Sequence, residues 1–359
     1  MTEIDRLVAR LRRYQGPVLT FMEVCGTHTM AIARQGLKQL LPDTIRLVSG
    51  PGCPVCVTPV GYVDHALALA AREEVLLTTF GDLMRVPGSR PGSAPAPSLQ
   101  QASAQGARVQ VVYSPLNALQ LAREHPESEV VFLGVGFETT TPTIAAAVLQ
   151  AEAEGLANFS VLSAHKTIPE AMVLLSGAED LGLAGYLCPG HVSVILGTGP
   201  YEPLAAVHGM ACAVGGFEAA EVLRALVALV DQVEQGTPRV DNLYPGAVRP
   251  EGNPRARALV ERVFEPADAA WRGIGVIPHS GLAFRKKYAA FDAALRFPVS
   301  LPAPVEPKGC RCGEVLRGVL DPVACPLFGR VCTPENPVGA CMVSSEGSCA
   351  ARYHYTLEA

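Results

Sequence analysis

A chain of 359 residues that is 49% apolar, with 34 acidic against 29 basic residues and a net charge of −5, can bury a sizeable core and should divide into two or three domains. Its weakly acidic balance, without a block of Lys or Arg, argues against nucleic acid or an anionic membrane as the main partner. No run approaches eighteen apolar residues and Met1–Gly16 lacks the apolar stretch of a signal peptide, so a soluble, cytoplasmic protein is expected.

In chain order, Asp5–Tyr14 reads as a short amphipathic helix, and Pro17–Val24 as an apolar strand with Glu23 at its carboxyl end. Cys25-Gly-Thr-His28 follows, ahead of the helical run Met30–Leu41. A thiol and an imidazole between a strand and a helix sit where open α/β sheets carry their sites. The helix N-terminus there favours the thiolate of Cys25. His28 alone reads as a structural hydrogen-bonding residue, and only its neighbours raise it to a candidate. Ile45–Ser49 is a second short strand that delivers Ser49-Gly-Pro-Gly-Cys-Pro-Val-Cys56. Two residues between Cys53 and Cys56 let both sulfurs close on one metal or on each other, in a Gly- and Pro-framed loop where a mere packing role for Cys is unusual. Val60–Arg72 reads as a helix containing His65 as a satisfied structural histidine. Glu74–Phe80 is apolar throughout, as a parallel strand covered on both faces should be. Gly81–Pro87 holds Asp82 and Arg85 in a strand-end loop, and Gly88–Ser98, rich in Pro, Gly and Ser, reads as a mobile surface loop or lid.

A second series begins with a strand over Ala107–Ser114, a helix over Pro115–Glu124 with Pro in its first turn, and a strand over Val130–Gly136. Gly136-Phe-Glu-Thr-Thr-Thr-Pro142 then leads into a helix over Thr143–Glu154. The hydroxyls and the carboxylate of this turn either bind a polar ligand or cap the helix, and Glu138, Thr139 and Thr140 are carried as candidates. Phe159–Ala164 is a strand leading to His165, Lys166 and a helix from Pro169; Tyr186–Cys188 is another, followed by Pro189-Gly-His191-Val-Ser193. Cys188 and Cys212 stand alone in apolar surroundings and read as buried small side chains. The long amphipathic helix Phe217–Gln235 closes two α/β units whose polar loops all lie at strand carboxyl ends, converging on one cleft. No Gly-rich turn matches a Walker loop or a dinucleotide fingerprint. Gly236–Gly252 reads as a linker, Asn253–Phe264 as a helix and Trp271–Arg285 as an irregular strand-like segment.

The last fifty residues change character. Six of the eleven cysteines, Cys310, Cys312, Cys325, Cys332, Cys341 and Cys349, lie here among Pro and Gly with no helical or strand period. Clustered thiols in a reducing compartment point to metal or redox chemistry, and so irregular a segment needs a staple. Six thiols with one nearby imidazole, His354, favour an iron–sulfur cluster on four thiolates over the structural alternative, zinc. The expected architecture is therefore α/β: two Rossmann-like parallel-sheet units facing a cleft (residues 1–106 and 107–236) and a helical, cysteine-rich iron–sulfur domain (237–359).

Together, Cys25-Gly-Thr-His28, Gly50-Pro-Gly-Cys-Pro-Val-Cys56, Gly136-Phe-Glu-Thr-Thr140, Pro189-Gly-His-Val-Ser193, Gly309-Cys-Arg-Cys-Gly313, Cys325-Pro-Leu-Phe-Gly329 and Cys341-Met-Val-Ser-Ser-Glu-Gly-Ser-Cys349 resemble the hydrogenase maturation factor HypD, in order over nearly the whole chain. One departure is Met30, where relatives often carry a second histidine. The resemblance implies a scaffold on which the Fe(CN)2CO group of nickel–iron hydrogenases is assembled with the chaperone HypC and the cyanide donor HypE. Cys25 would hold the nascent iron, bearing CN and CO, jointly with a cysteine of the chaperone and with His28 close by. Cys53 and Cys56 would form a redox-active dithiol, Cys310, Cys325, Cys332 and Cys349 would carry a 4Fe-4S cluster, and Cys312 and Cys341 would be a second dithiol. The family pattern alone selects Cys310 over Cys312 as cluster ligand. Electron transfer to Cys53 and Cys56 then requires the third domain to pack on the first, with Glu138, Thr139, Thr140, His165 and His191 lining the cleft. Such a scaffold need have no turnover of its own. The alternatives are a thiol-disulfide oxidoreductase with a structural metal site, for which Cys25 is dispensable, and a purely structural zinc scaffold.

Overall fold

Alternating apolar strands and helices build two parallel sheets. A computed structural model describes residues 1–89 and 97–356. The strands are β1 (Leu19–Glu23), β2 (Ile45–Ser49), β3 (Val75–Thr79), β4 (Val109–Val111), β5 (Glu129–Gly134), β6 (Phe159–Ser163), β7 (Leu183–Cys188), β8 (Ala211–Val214), β9 (Val240–Asn242), β10 (Phe264–Trp271) and β11 (Gly275–Phe284). The first sheet runs β2-β1-β7-β8-β9 and the second β4-β3-β5-β6, while β10 and β11 form a hairpin. Every pairing within the two larger sheets is parallel. Strand order reverses between β1 and β7 in one sheet and between β3 and β5 in the other, and the carboxyl ends at such reversals are where doubly wound sheets open a crevice.

These memberships correct the expected division at residues 106 and 107. β1 and β2 pair with β7, β8 and β9, so the first sheet is made of two distant stretches, and the second sheet, residues 75–163, lies between them in sequence. Pairing of nonconsecutive strands leaves no local mark in a sequence. The supposed linker 236–252 contains β9, the edge strand beside β8. The segment Trp271–Arg285 is one arm of a hairpin whose other arm, β10, carries Pro266 and alternating exposed residues. The tail is less irregular than its sequence: the helix Ser348–Thr356 closes it. Of the expected lid, residues 90–96 lie outside those described.

Helix ends follow local chemistry. Ser114 caps the helix Pro115–Glu124 through its side chain and Pro115 takes the first turn, where its missing N–H costs nothing. Phe21, Phe132 and Phe159 are fully buried within the sheets and stabilise by roughly 2–3 kcal/mol each. One apolar cluster spans both sheets, the hairpin and the tail, including Met22, Cys56, Leu133, Phe137, Tyr186, Trp271, Cys312 and Cys341. No helix among the described residues is long and apolar enough to cross a membrane.

Candidate functional site

The register of β1 against β2 pairs Glu23 with Ser49, so the loops that follow the two strands lie side by side. Gly50 N–H donates to the Glu23 carbonyl at 2.7 Å and Gly26 N–H to the Gly52 carbonyl at 2.9 Å. A Cβ on Gly52 would stand 2.3 Å from the Cys25 nitrogen; only glycine permits this approach. Cys25 is the N-cap of the helix Gly26–Arg34 and is 7% exposed. Its N–H donates to Glu23 Oε2 at 3.2 Å, while the Thr29 hydroxyl donates to Oε1 at 2.6 Å. Burial pushes the Glu23 carboxyl up to about 7, opposed by the hydroxyls of Ser49 and Thr29. Burial also pushes the Cys25 thiol up to about 12, with the carboxylates of Glu346 and Glu23 adding to it. The expected thiolate is therefore not the resting form: desolvation outweighs the N–H groups at the helix start.

His28, fully buried, shares a hydrogen bond through Nε2 with the Gly216 carbonyl at 2.9 Å, while its Nδ1 has no hydrogen-bond partner. Burial holds its pKa down to about 4, so the imidazole is neutral. Phe217 lies between His28 and His191, ring centroids 4.7 and 4.3 Å away. The Thr27 hydroxyl contacts His191 Nδ1 at 3.3 Å and donates to Glu346 Oε1 at 3.2 Å. His191 thus joins the Cys25 helix, and so does Glu346 from the tail.

Cys53 and Cys56 are joined as a disulfide and both are buried, Cys53 capping the short helix Pro54–Val57. Cys56 Sγ lies 4.0 Å from the Ala340 carbonyl. The next residue, Cys341, brings its sulfur within 2.8 Å of Cys312 Sγ. The tail therefore packs against the first sheet at the disulfide. The thiols of Cys310 and Cys341 hold the Cys312 sulfur below the usual thiol range, and Cys310 and Cys341 are correspondingly raised. All six tail cysteines line one pocket, together with Val315, Leu327, Phe328 and Met342. No three His, Cys, Asp or Glu side chains among the described residues converge on a point that would hold a single metal ion. A four-iron cluster asks for something different: four thiolates spread around a larger body and no oxygen or nitrogen ligand. A cavity walled by thiols and apolar groups fits that donor set.

The remaining candidates divide. Glu138, at the end of β5, is buried; its Oε1 accepts the Ile168 N–H at 2.9 Å and its Oε2 is unpartnered. Burial pushes it up to about 8. It borders a groove with Thr167, Glu170 and Pro200, and the buried Tyr201 phenol lies within electrostatic reach of both Glu138 and Cys25. Thr139 is exposed, Thr140 occupies the N-cap of the helix Thr141–Glu154 without a side-chain cap bond, and Thr141 donates to the Phe137 carbonyl at 2.9 Å. His165 is buried edge-on against Phe264 of the hairpin, bonded to Ser163 at 2.9 Å and held down to about 3 by burial. His65 is half-buried with Nε2 unpartnered rather than satisfied. Cys188 and Cys212 are fully buried as expected.

Sequence reasoning missed Thr27, Glu346 and Arg272. The first two stand inside motifs whose cysteines drew the attention. Arg272, 4% exposed at the hairpin turn, gave no signal; its N–H donates to the Val57 carbonyl at 2.8 Å and its guanidinium pairs with Glu306 at 3.4 Å.

The HypD family, described as "Hydrogenase formation hypA family", matches residues 2–356. The chain belongs to the HypD family. A hydrogenase expression/formation protein HupD of Azotobacter chroococcum is 46% identical to it over 98% of this chain and 93% of its own length. The hydrogenase maturation factor HypD of Cupriavidus necator is 45% identical, covering 98% and 94%, and that of Escherichia coli is 44% identical, covering 94% and 89%. HypD relatives thus match along essentially their whole length, and the chain is a hydrogenase maturation factor by family. Among solved structures, a 2,3-dimethylmalate lyase aligns over 69% of this chain and 82% of its own at 13% identity and a TM-score of 0.16, too slight a likeness to carry an argument.

Proposed function

We propose that this protein is the scaffold on which the Fe(CN)2CO group of nickel–iron hydrogenases is assembled, in the cytoplasm, with a HypC-type chaperone and a HypE-type cyanide donor. The observation that carries the reading is the juxtaposition of three thiol sets: Cys25 against the loop of Cys53 and Cys56, and that disulfide against the tail at Ala340 and Cys341. Iron bearing cyanide and carbon monoxide is the cargo, and a soft thiolate suits it. Cys25 holds it together with a thiolate of the chaperone. Binding must remove the thiol proton that burial retains, and Glu23, which accepts from the Cys25 N–H and is raised to about 7 by burial, is the group we assign to take it. His28, neutral and donating through Nε2 to the Gly216 carbonyl, keeps an unpartnered Nδ1 beside the Cys25 helix start that can only accept a hydrogen bond.

Cys310, Cys325, Cys332 and Cys349 hold a four-iron four-sulfur cluster, which supplies one-electron transfer when bound. The chain's own sulfurs pass pairs. One thiolate of the Cys312 and Cys341 pair attacks Cys56, the Cys53 thiolate leaves, and the other sulfur of the pair then displaces Cys56; Cys312 and Cys341 end joined, and Cys53 and Cys56 reduced with the two protons the donor thiols gave up. The 2.8 Å contact of Cys312 and Cys341 supports their joining in the second step.

Anaerobic purification followed by iron and acid-labile sulfide analysis tests the cluster. About four of each per chain is the expected result, and one zinc in a colourless protein overturns it. The joined Cys53 and Cys56 also favour a second reading, a thiol-disulfide oxidoreductase acting on protein substrates. Cys25→Ala and Cys56→Ala separate the two in a cell scored for hydrogenase activity: loss with both is expected for iron assembly, whereas retention with Cys25→Ala supports the oxidoreductase.

A further inference from the structure

A thiol that takes up iron and meets a second protein's cysteine has to be reached, yet Cys25 is 7% exposed. Its cover is identifiable. The helix Gly26–Arg34 begins directly under the tail turn Ser344–Gly347, and a Cβ on Gly26 would lie 2.4 Å from the Glu346 Cβ. Glu346 is half-buried and the neighbouring Ser345 is exposed, so the cover is one residue thick. Two polar contacts fasten it, and a third holds one of its anchors. Glu346 Oε1 accepts from the Thr27 hydroxyl at 3.2 Å, Thr27 contacts His191 at 3.3 Å, and the Ser344 hydroxyl donates to Asp82 Oδ2 at 2.8 Å. Thr27 and His191 lie in the first turns of the helices that follow β1 and β7 of the first sheet, and Asp82 follows β3 of the second, so the turn is tied to both sheets at once.

We propose that the Ser344–Gly347 turn is a lid over Cys25, latched by Glu346 to Thr27 and by Ser344 to Asp82, and that the latch must open before Cys25 accepts iron. The lid belongs to the same tail whose Ala340 carbonyl touches Cys56 Sγ four residues earlier. Movement of the tail therefore changes access to the iron thiol and the thiol relay together. The partner that opens it has to compete for Thr27, His191 or Asp82, all of which present polar groups along the rim. This inference rests on the reading of Cys25 as the iron-holding thiol.

The test uses the full chain, reduced and anaerobic, pulsed with iodoacetamide and mapped cysteine by cysteine by peptide mass spectrometry. Cys188 and Cys212, both 0% exposed, are internal controls. Glu346→Ala is expected to raise the labelling rate of Cys25 roughly tenfold, the factor that loss of one hydrogen bond to a charged group implies, with the controls unlabelled. Glu346→Gln, which keeps a bond to Thr27, should give a smaller rise. An unchanged Cys25 rate in Glu346→Ala overturns the lid. Should the controls label as well, Thr27→Val decides: it leaves the tail intact, and a rise confined to Cys25 supports the lid while no rise overturns it. Labelling needs no iron, so the outcomes separate. Hydrogenase maturation that survives Cys25→Ala defeats the iron reading and leaves the lid standing; a normal labelling rate in the latch variants does the reverse.

Discussion

Two regions of the molecule hold cysteines in place by opposite means. At Cys25 the backbone does the holding: β1, the helix after it and the neighbouring Gly50–Gly52 loop are tied by main-chain hydrogen bonds, and the thiol's position follows from sheet register. In the tail the bonds are short turns, such as Phe328 N–H to the Cys325 carbonyl at 3.0 Å, and its own apolar cluster is only Cys325, Phe328, Cys332 and Met342 with a few half-buried neighbours. Two of those four are proposed ligands. On the cluster reading proposed above, a segment so poor in core depends on what its thiols would bind, whereas the Cys25 loop depends on what surrounds it.

The sharpest way to break this comparison is to remove tail ligands. Cys325→Ser with Cys332→Ser should abolish iron and sulfide binding and open residues beyond about 300 to limited proteolysis, leaving the two sheets protected; a tail that stays resistant contradicts the dependence. On the other side, Gly52→Ala forces backbone against the Cys25 nitrogen. It should destabilise by about 3 kcal/mol in a thermal or denaturant titration, near the upper end for overpacking, because backbone cannot rotate away. A pH effect on the sheets is smaller for each pH unit. Burial raises Glu138 from its ordinary 4.5 to about 8, so the folded state holds that proton longer than the unfolded chain does. Its contribution is full below pH 4.5 and is lost as pH rises through 8, at a slope of up to ~1.4 kcal/mol per pH unit. Glu138→Gln keeps the bond to Ile168 and should flatten stability over that window; a slope equal to the parent's refutes the assignment. Smallest is Cys212→Ala, fully buried in β8 but outside both thiol regions, which should cost about 1 kcal/mol and leave hydrogenase maturation intact.

Much of the site was legible because it is built from contiguous motifs. Cys25-Gly-Thr-His28 and Gly50–Cys56 announce themselves by spacing, and both lie at strand ends as their apolar runs require. β2 was found with its observed limits, and so was the helix Pro115–Glu124. What escaped depends on distant partners. β9 is three half-buried residues, Val240, Asp241 and Asn242, whose strand character comes entirely from lying beside β8. β10 gives no strand signal because Pro266, Glu265 and Asp268 deny it a period. The buried state of Cys25 was hidden for the same reason: the helix start is local and favours a thiolate, but its cover, Glu346, arrives from 321 residues away in the chain.

The split first sheet has a bearing on biosynthesis. Residues 75–163 form a complete parallel sheet as a continuous stretch, able to close while later residues are still on the ribosome. β1 and β2 have only each other until β7 emerges, a pairing with a long loop-closure delay. Cys25, Cys53 and Cys56 therefore leave the ribosome well before the strand, the helix partners and the tail that enclose them exist. The thiol chemistry proposed for them waits for the tail, and a chain that has not yet reached it presents these cysteines to solvent without the fold that encloses them.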